Sequence, residues 1–158
     1  MHVSHRAVLT GHVIASVLTN LVAIAALIAV AFLLGFRPAA SPLDGLAAIG
    51  VIVLLAFATA WLTVALGLSA KSPETAGLAS VPLVMLPFFS SAIVPADKMG
   101  PGLREFAQYQ PFTSIVETLR GFLDGAPAAA DVIPALAWCV GIALVGYLWA
   151  RSTFTKRA

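Results

Sequence analysis

Four stretches of this chain carry no Asp, Glu, Lys or Arg: residues 13–36, 45–70, 75–96 and 132–150. They hold 24, 26, 22 and 19 residues. At 1.5 Å per residue each makes a helix of about 30 Å, the thickness of a bilayer's hydrocarbon core. A backbone in lipid must satisfy its own polar groups, and a continuous apolar run does so as a helix. The competing fold, a soluble bundle with these runs buried, needs a polar shell. Charged residues make up only 10% of the chain and hydrophobic ones 60%, against roughly 25% charged in an ordinary soluble protein. The sequence therefore predicts an all-α integral membrane protein with four transmembrane helices.

The segment between the third and fourth runs is neither a plain span nor a plain loop. Residues 111–123 place Phe112, Ile115, Val116, Leu119, Phe122 and Leu123 at helical spacing, with Glu117 and Arg120 on the other side. A helix of that length is too short to cross, since crossing takes ~20 residues. It can lie in the interface, or dip in and return, with its apolar face covered. Pro111 suits a first turn, Ser114 and Glu117 have capping-box spacing, and Gly121 or Gly125 can end the helix. Gly100, Pro101 and Gly102 break the chain upstream, and 103–109 reads as a second short helix. The expectation is an external helical cap over 97–125, re-entrant or interfacial.

The spans differ in character. Residues 1–12 read as a short polar head; the run after it is too long for a signal-peptide core of ~7–15 residues, so it is read as a retained helix. Ala25 with Ala29, and Ala56 with Ala60, have the small-xxx-small spacing that lets helices approach. Asn20 reads as an interhelical hydrogen-bonding group, and Thr59 and Thr63 as hydroxyls that bond back to their own helix. The third run contains Pro82 and Pro87, followed by Ser90 and Ser91. Prolines free backbone groups that membranes tolerate only under protein or beside a water-filled cavity. That span is either a packed, kinked helix or one that lines a pathway. Trp138, Tyr147 and Trp149 mark the two ends of the last run as an aromatic belt.

Placing both termini in the cytoplasm puts Arg6, Lys71, Arg151, Lys156 and Arg157 on short inner segments, and Arg37, Lys98, Arg104 and Arg120 on longer outer ones. The cap then faces outward. Chemistry within the chain is sparse. It has no phosphate-binding loop of the form G-x-x-x-x-G-K-[ST], no H-E-x-x-H and no G-x-S-x-G. The predicted spans hold no ionisable Asp, Glu, Lys or Arg, which disfavours a membrane-embedded enzyme or an ion-coupled pump. Cys139 is the single cysteine, and His2, His5 and His12 have no carboxylate beside them, so no metal centre is expected. The net charge of +2 belongs to span-flanking residues and gives no reason to expect nucleic acid.

A family resemblance rests on an ordered set of residues: Ser90-Ser91, Pro95, Met99-Gly100-Pro101, Phe106-Ala107, Gln110-Pro111-Phe112-Thr113, and Glu117 with Leu119-Arg120-Gly121. This stretch resembles the outer region before the last span of type-2 ABC (ATP-binding cassette) exporter permeases, the daunorubicin-resistance branch in particular. The head, Val3-Ser4-His5-Arg6 with Gly11, is similar to the end of the cytoplasmic loop before that family's third span. The resemblance implies a permease subunit in the plasma membrane that moves a hydrophobic or amphipathic substrate outward. It implies pairing with a second permease copy and with separate ATP-binding subunits that hold ATP and Mg²⁺, leaving this chain with no cofactor of its own. By position, Ser4, Arg6 and Gly11 would lie at the coupling element. Pro95, Gln110, Pro111, Phe112, Thr113, Glu117, Arg120 and Gly121 would belong to the external gate, and Pro82, Pro87, Ser90 and Ser91 to a kinked pathway helix. Family members have six spans, so the first two would be missing here. A non-transporting scaffold or an inactive truncated permease is the alternative.

Overall fold

The computed structural model describes residues 5–90, 98 and 100–157. Six α-helices follow one another: α1 (His5–Leu33), α2 (Pro42–Ser69), α3 (Pro73–Met85), α4 (Pro101–Tyr109), α5 (Pro111–Leu123) and α6 (Ala129–Arg157). A 3-10 turn, Leu86–Phe89, continues α3. No strand occurs among the described residues.

Among the described residues, three helices contain stretches long and apolar enough to cross a membrane: Thr10–Leu33, Pro42–Ser69 and Ala129–Thr153. The third apolar run departs from the expected single helix over 75–96. Its α-helix starts at Pro73, keeps Pro82 inside it, and ends at Met85 before the 3-10 turn. Pro87 follows directly: it lacks an N–H and its ring crowds the carbonyl four residues back, which disfavours a further α-turn there, although Pro82 is accommodated within α3. Residues 91–97 of that run lie outside the described residues. The polar head also differs from the expectation, because α1 already begins at His5. At the other end α6 runs on to Arg157, past the expected limit at 150.

Local chemistry places the helix ends. Ser41 caps α2, its Oγ accepting from the Asp44 N–H at 3.2 Å while Asp44 Oδ2 accepts from the Ser41 N–H at 3.2 Å. Pro42 occupies the first turn, where its missing N–H costs nothing. Ser72 caps α3 with a single bond, its Oγ accepting from the Thr75 N–H at 3.3 Å. A hydrogen bond from the Ser72 side chain holds the Glu74 carboxyl below its usual value. Two glycines in the left-handed region close helices with the paired bonds of a Schellman motif. Gly35 (φ 93°) ends α1, with Phe36 N–H donating to Ala31 O at 2.9 Å and Gly35 N–H to Phe32 O at 3.0 Å. Gly125 (φ 70°) ends α5, with Ala126 N–H to Gly121 O at 2.9 Å and Gly125 N–H to Phe122 O at 3.3 Å.

The core forms where α2, α5 and α6 meet. Ala48 and Val51 of α2, Ile115 and Phe122 of α5, and Ala135 and Cys139 of α6 are all buried together. Further along, a Cβ on Gly146 would stand 2.7 Å from the Leu62 backbone nitrogen and 2.9 Å from the Trp61 carbonyl carbon. The early residues of α2 thus pair with the early residues of α6 and the later with the later, so the two helices run in the same direction. Ala56, Ala58, Ala60 and Ala65 are buried on α2; Ala58 and Ala65 share the face of Trp61 and Leu62, whereas Ala56 and Ala60 lie on the opposite side, where Ala60 lines the groove towards α1. Ala25 and Ala29 of α1 are exposed instead. Trp61 and Tyr147 complete the α2–α6 contact edge to face, with centroids 5.1 Å apart.

The close backbone contact gives a direct test. Gly146→Val is expected to destabilise the protein in detergent by about 1–3 kcal/mol, the usual cost of overpacking, read as a lowered melting temperature. Gly141→Ala, whose added Cβ meets nothing within 4 Å, is the matched control and should leave it unchanged or raised.

Candidate functional site

The α4–α5 pair is built around one residue. Gln110 is both the C-cap of α4 and the N-cap of α5, with φ −78° and ψ 149°. The following Pro111 excludes the helical region for it, so the chain turns once and restarts as a helix. Pro111 fills the first position of α5 as expected. The proposed Ser114–Glu117 capping box does not form, because the helix starts three residues earlier. Ser114 lies inside α5, its carbonyl accepting the Thr118 hydroxyl at 2.7 Å. Glu117 instead accepts from Arg120 at 3.1 Å, with both side chains more than a third exposed. A pair so placed is worth a few tenths of a kcal/mol.

The apolar face of α5 is the anchor. Ile115 and Phe122 are buried between α2 and α6, and Thr113 and Thr118 are buried beside them. Phe112, Val116, Leu119 and Leu123 are half-buried. Gly121 faces the returning chain: a Cβ there would lie 3.3 Å from Ala126 O and from Pro127 Cα. The turn at Gly125 sits on the turn before α2, where a Cβ would come within 2.9 Å of Ala39 O. Sequence spacing showed the apolar face of α5 but not these two close approaches.

Beside this anchor runs a groove of about 460 Å³, lined by Leu86, Gly102, Glu105, Phe106, Tyr109, Gln110, Pro111 and Trp138. Its α4 wall is Gly102, Glu105, Phe106 and Tyr109, one helical face at i, i+3, i+4 and i+7. Gln110 is 4% exposed. Its Nε2 lies 3.5 Å from Thr113 Oγ1, at the outer limit of a hydrogen bond, and its Oε1 has no partner. Glu105, Tyr109 and Trp138 were not singled out as site residues in the sequence; the i, i+3, i+4, i+7 spacing on α4 was the available signal. A second groove, about 770 Å³, lies between α1 and α2 and includes His12, Ser16, Thr19, Asn20, Thr59 and Thr63. Its threonines donate to carbonyls of their own helices: Thr19 to Ala15 at 2.9 Å, Thr59 to Leu55 at 2.9 Å and Thr63 to Thr59 at 2.8 Å. Asn20 is exposed in that groove rather than bonded across to another helix.

The remaining candidate residues fall in several places. Ser4, Ser91 and Pro95 lie outside the described residues. Arg6 and Gly11 belong to the first turns of α1, with open space around Gly11. Pro82 is exposed on α3 and Pro87 half-buried in the 3-10 turn. Ser90 is fully buried, donating to Pro87 O at 2.6 Å. Gln110, Pro111 and Thr113 are brought together at the α4–α5 junction; Glu117, Arg120 and Gly121 lie further along α5.

The family model of the ABC-2 type transporter matches residues 1–123. The chain belongs to the ABC-2 type transporter family. It is 29% identical over 140 residues to the daunorubicin resistance ABC transporter permease protein DrrB1 of Streptomyces coeruleorubidus. That alignment covers 88% of this chain and 49% of the relative, so the chain spans about half the length of the permease it matches. No solved structure matches it. The matched family region takes in α1 to α5 and so includes the whole α4–α5 pair.

The orphaned oxygen in this ABC-2 family chain has a measurable cost. A buried acceptor without a donor is unfavourable by about 1–3 kcal/mol. Gln110→Leu removes it without removing a helix cap, since Gln110 makes no side-chain cap bond. This variant is expected to melt at a higher temperature than the unmodified chain in detergent.

Proposed function

We propose that this chain forms part of the permease subunit of an ATP-binding cassette exporter in the plasma membrane. The permease moves a hydrophobic or amphipathic substrate outward, driven by ATP that a separate subunit binds with Mg²⁺ and hydrolyses. The observation that carries this reading is the α4–α5 pair. A short amphipathic helix wedged between two membrane-length helices, where a tight hairpin would have sufficed, is a device for covering one end of a pathway. The family membership supports it, as does the similarity to a drug-resistance permease along most of the chain.

In this reading both termini are cytoplasmic and α4–α5 faces outward as the external gate. The third run supplies the remaining crossing. α3 starts just after α2 ends, and Leu86–Phe89 reaches α5, which packs near the opposite end of α2. Thirteen α-helical residues and a 3-10 turn cover close to 30 Å at about 1.5 and 2.0 Å per residue. The head residues Ser4, Arg6 and Gly11 lie where the ATP-binding subunit would couple, and a second permease copy completes the pathway.

The test is to tag the C-terminus at the native locus, purify in mild detergent and identify the companions by mass spectrometry. A co-purifying ATP-binding subunit, with ATP-dependent accumulation of a fluorescent amphiphile in inverted vesicles, is the expected result. A chain that purifies with no ATPase would sink the export reading and leave a scaffold or an inactive permease. In the active complex, Arg6→Ala is expected to lower ATP-driven accumulation about five-fold or more, the lower range of an allosteric coupling, while the subunits still co-purify.

A further inference from the structure

We infer that the groove between α4 and α6 is a binding site for a primary ammonium group carried on an amphiphile. This concerns binding alone and rests on the outward placement of α4–α5, not on transport by the chain.

The first argument is shape. Gly102 opens one end of the α4 wall, since a Cβ there would meet nothing within 4 Å. The groove's volume of about 460 Å³ falls in the range of small-molecule sites, ~300–1,000 Å³. The second is charge. Among the described residues the ion pair is Glu117 with Arg120, and Glu105 lines the groove apart from it. Arg104, its neighbour in sequence, is not in the lining, as adjacent helix positions point to different sides. Among the described residues, the wall of the groove therefore holds a carboxylate and no cation.

The third is aromatic surface. Phe106, Tyr109 and Trp138 leave 54%, 79% and 43% of their surfaces exposed. Rings of this kind around one carboxylate attract a cation through their electron-rich faces and cover the hydrocarbon beside it. The fourth is the orphaned Gln110 Oε1. Terminal amide torsions are broad, so that oxygen can turn to meet a donor arriving in the groove. A primary ammonium has three N–H donors, enough for the Glu105 carboxylate and the amide together. A quaternary ammonium has none, and an anion meets Glu105 with the wrong sign. The same ammonium chemistry comes from two sources, a lipid ethanolamine headgroup or a free cationic amphiphile.

The experiment follows Trp138 emission in the purified full chain, with Trp61 and Trp149 replaced by Phe. The probes are dodecylamine, dodecyltrimethylammonium and dodecyl sulfate, titrated at neutral pH in a neutral detergent. Dodecylamine is expected to give a saturable change at about one-tenth of the concentration that dodecyltrimethylammonium requires, given the strength of charged hydrogen bonds. Dodecyl sulfate should give none. Glu105→Gln should weaken the dodecylamine response about ten-fold. Gln110→Leu should erase the preference for the primary over the quaternary amine. Gly102→Leu should block both, and unchanged melting temperatures would show that Glu105→Gln and Gly102→Leu remain folded. Equal responses to all three probes, or an unaltered response in Glu105→Gln, would overturn the site. Repeating the titration in nanodiscs separates the sources: phosphatidylethanolamine, but not phosphatidylcholine, competes if the headgroup is the ligand, and neither does if it is a free amphiphile. The readout needs no ATPase, so loss of the export reading leaves this site standing, and the reverse.

Discussion

The contact on which this molecule depends is the close approach of two backbones, where Gly146 of α6 lies against Trp61 and Leu62 of α2. Lipid tails are as apolar as leucine, so membrane helices gain little from burying apolar surface against each other. What holds them is contact distance, and only residues without bulk permit it. Ala58 and Ala65, on the same face of α2 as Trp61 and Leu62, and the glycine on α6 bring the two axes together, with Trp61 and Tyr147 edge to face beside the contact. With α2 and α6 held side by side in the same direction, their early turns leave a slot of fixed width. Ile115 and Phe122 fill that slot, and α5 is positioned by it.

From that point the placement of α4 follows in sequence. Because α5 is anchored, the single extended residue before it determines where α4 lies. Because α4 then stands beside α6, its Gly102–Tyr109 face meets Trp138 across a gap, and does not close on a neighbour. The arrangement keeps a polar acceptor underground at Gln110 and leaves large rings in contact with solvent or headgroups. Both are unfavourable in isolation. A fold that retains two such features side by side departs from the best local packing there, and such departures are where binding surfaces are commonly found.

Much of this was legible in the residues. Charge-free length gave three membrane-length helices of the four expected, apolar spacing gave the buried face of α5, and the threonines bond to their own helices as their position predicted. The family resemblance was carried by short ordered motifs, and the family match covers them. Other features escaped for physical reasons. The end of the third helix at Met85 depends on how far the ladder survives a proline, and Pro82 survives within the same helix while Pro87 does not. The cap of α2 was missed because Ser41-x-x-Asp44 uses an aspartate in the place where glutamate or glutamine is the familiar signal. Gly146 looked like any glycine in a span, since a backbone approach is a property of two helices and not of one. Asn20 and the α1 alanines were assigned to helix contacts that this chain does not make by itself.

The joint between the turn at Gly125 and Ala39 has a mechanical consequence. It sets the loop joining α1 to α2 against the loop joining α5 to α6, so neighbouring ends of four helices meet at one point. The other ends of α1 and α2 are parted by the larger groove. α1 is a 29-residue rod, about 44 Å long, braced at one end. A rotation of only ~5° about that end would carry its far end through about 4 Å over that length. By length alone, a small angular change at the braced end corresponds to a large displacement at the end that begins with His5.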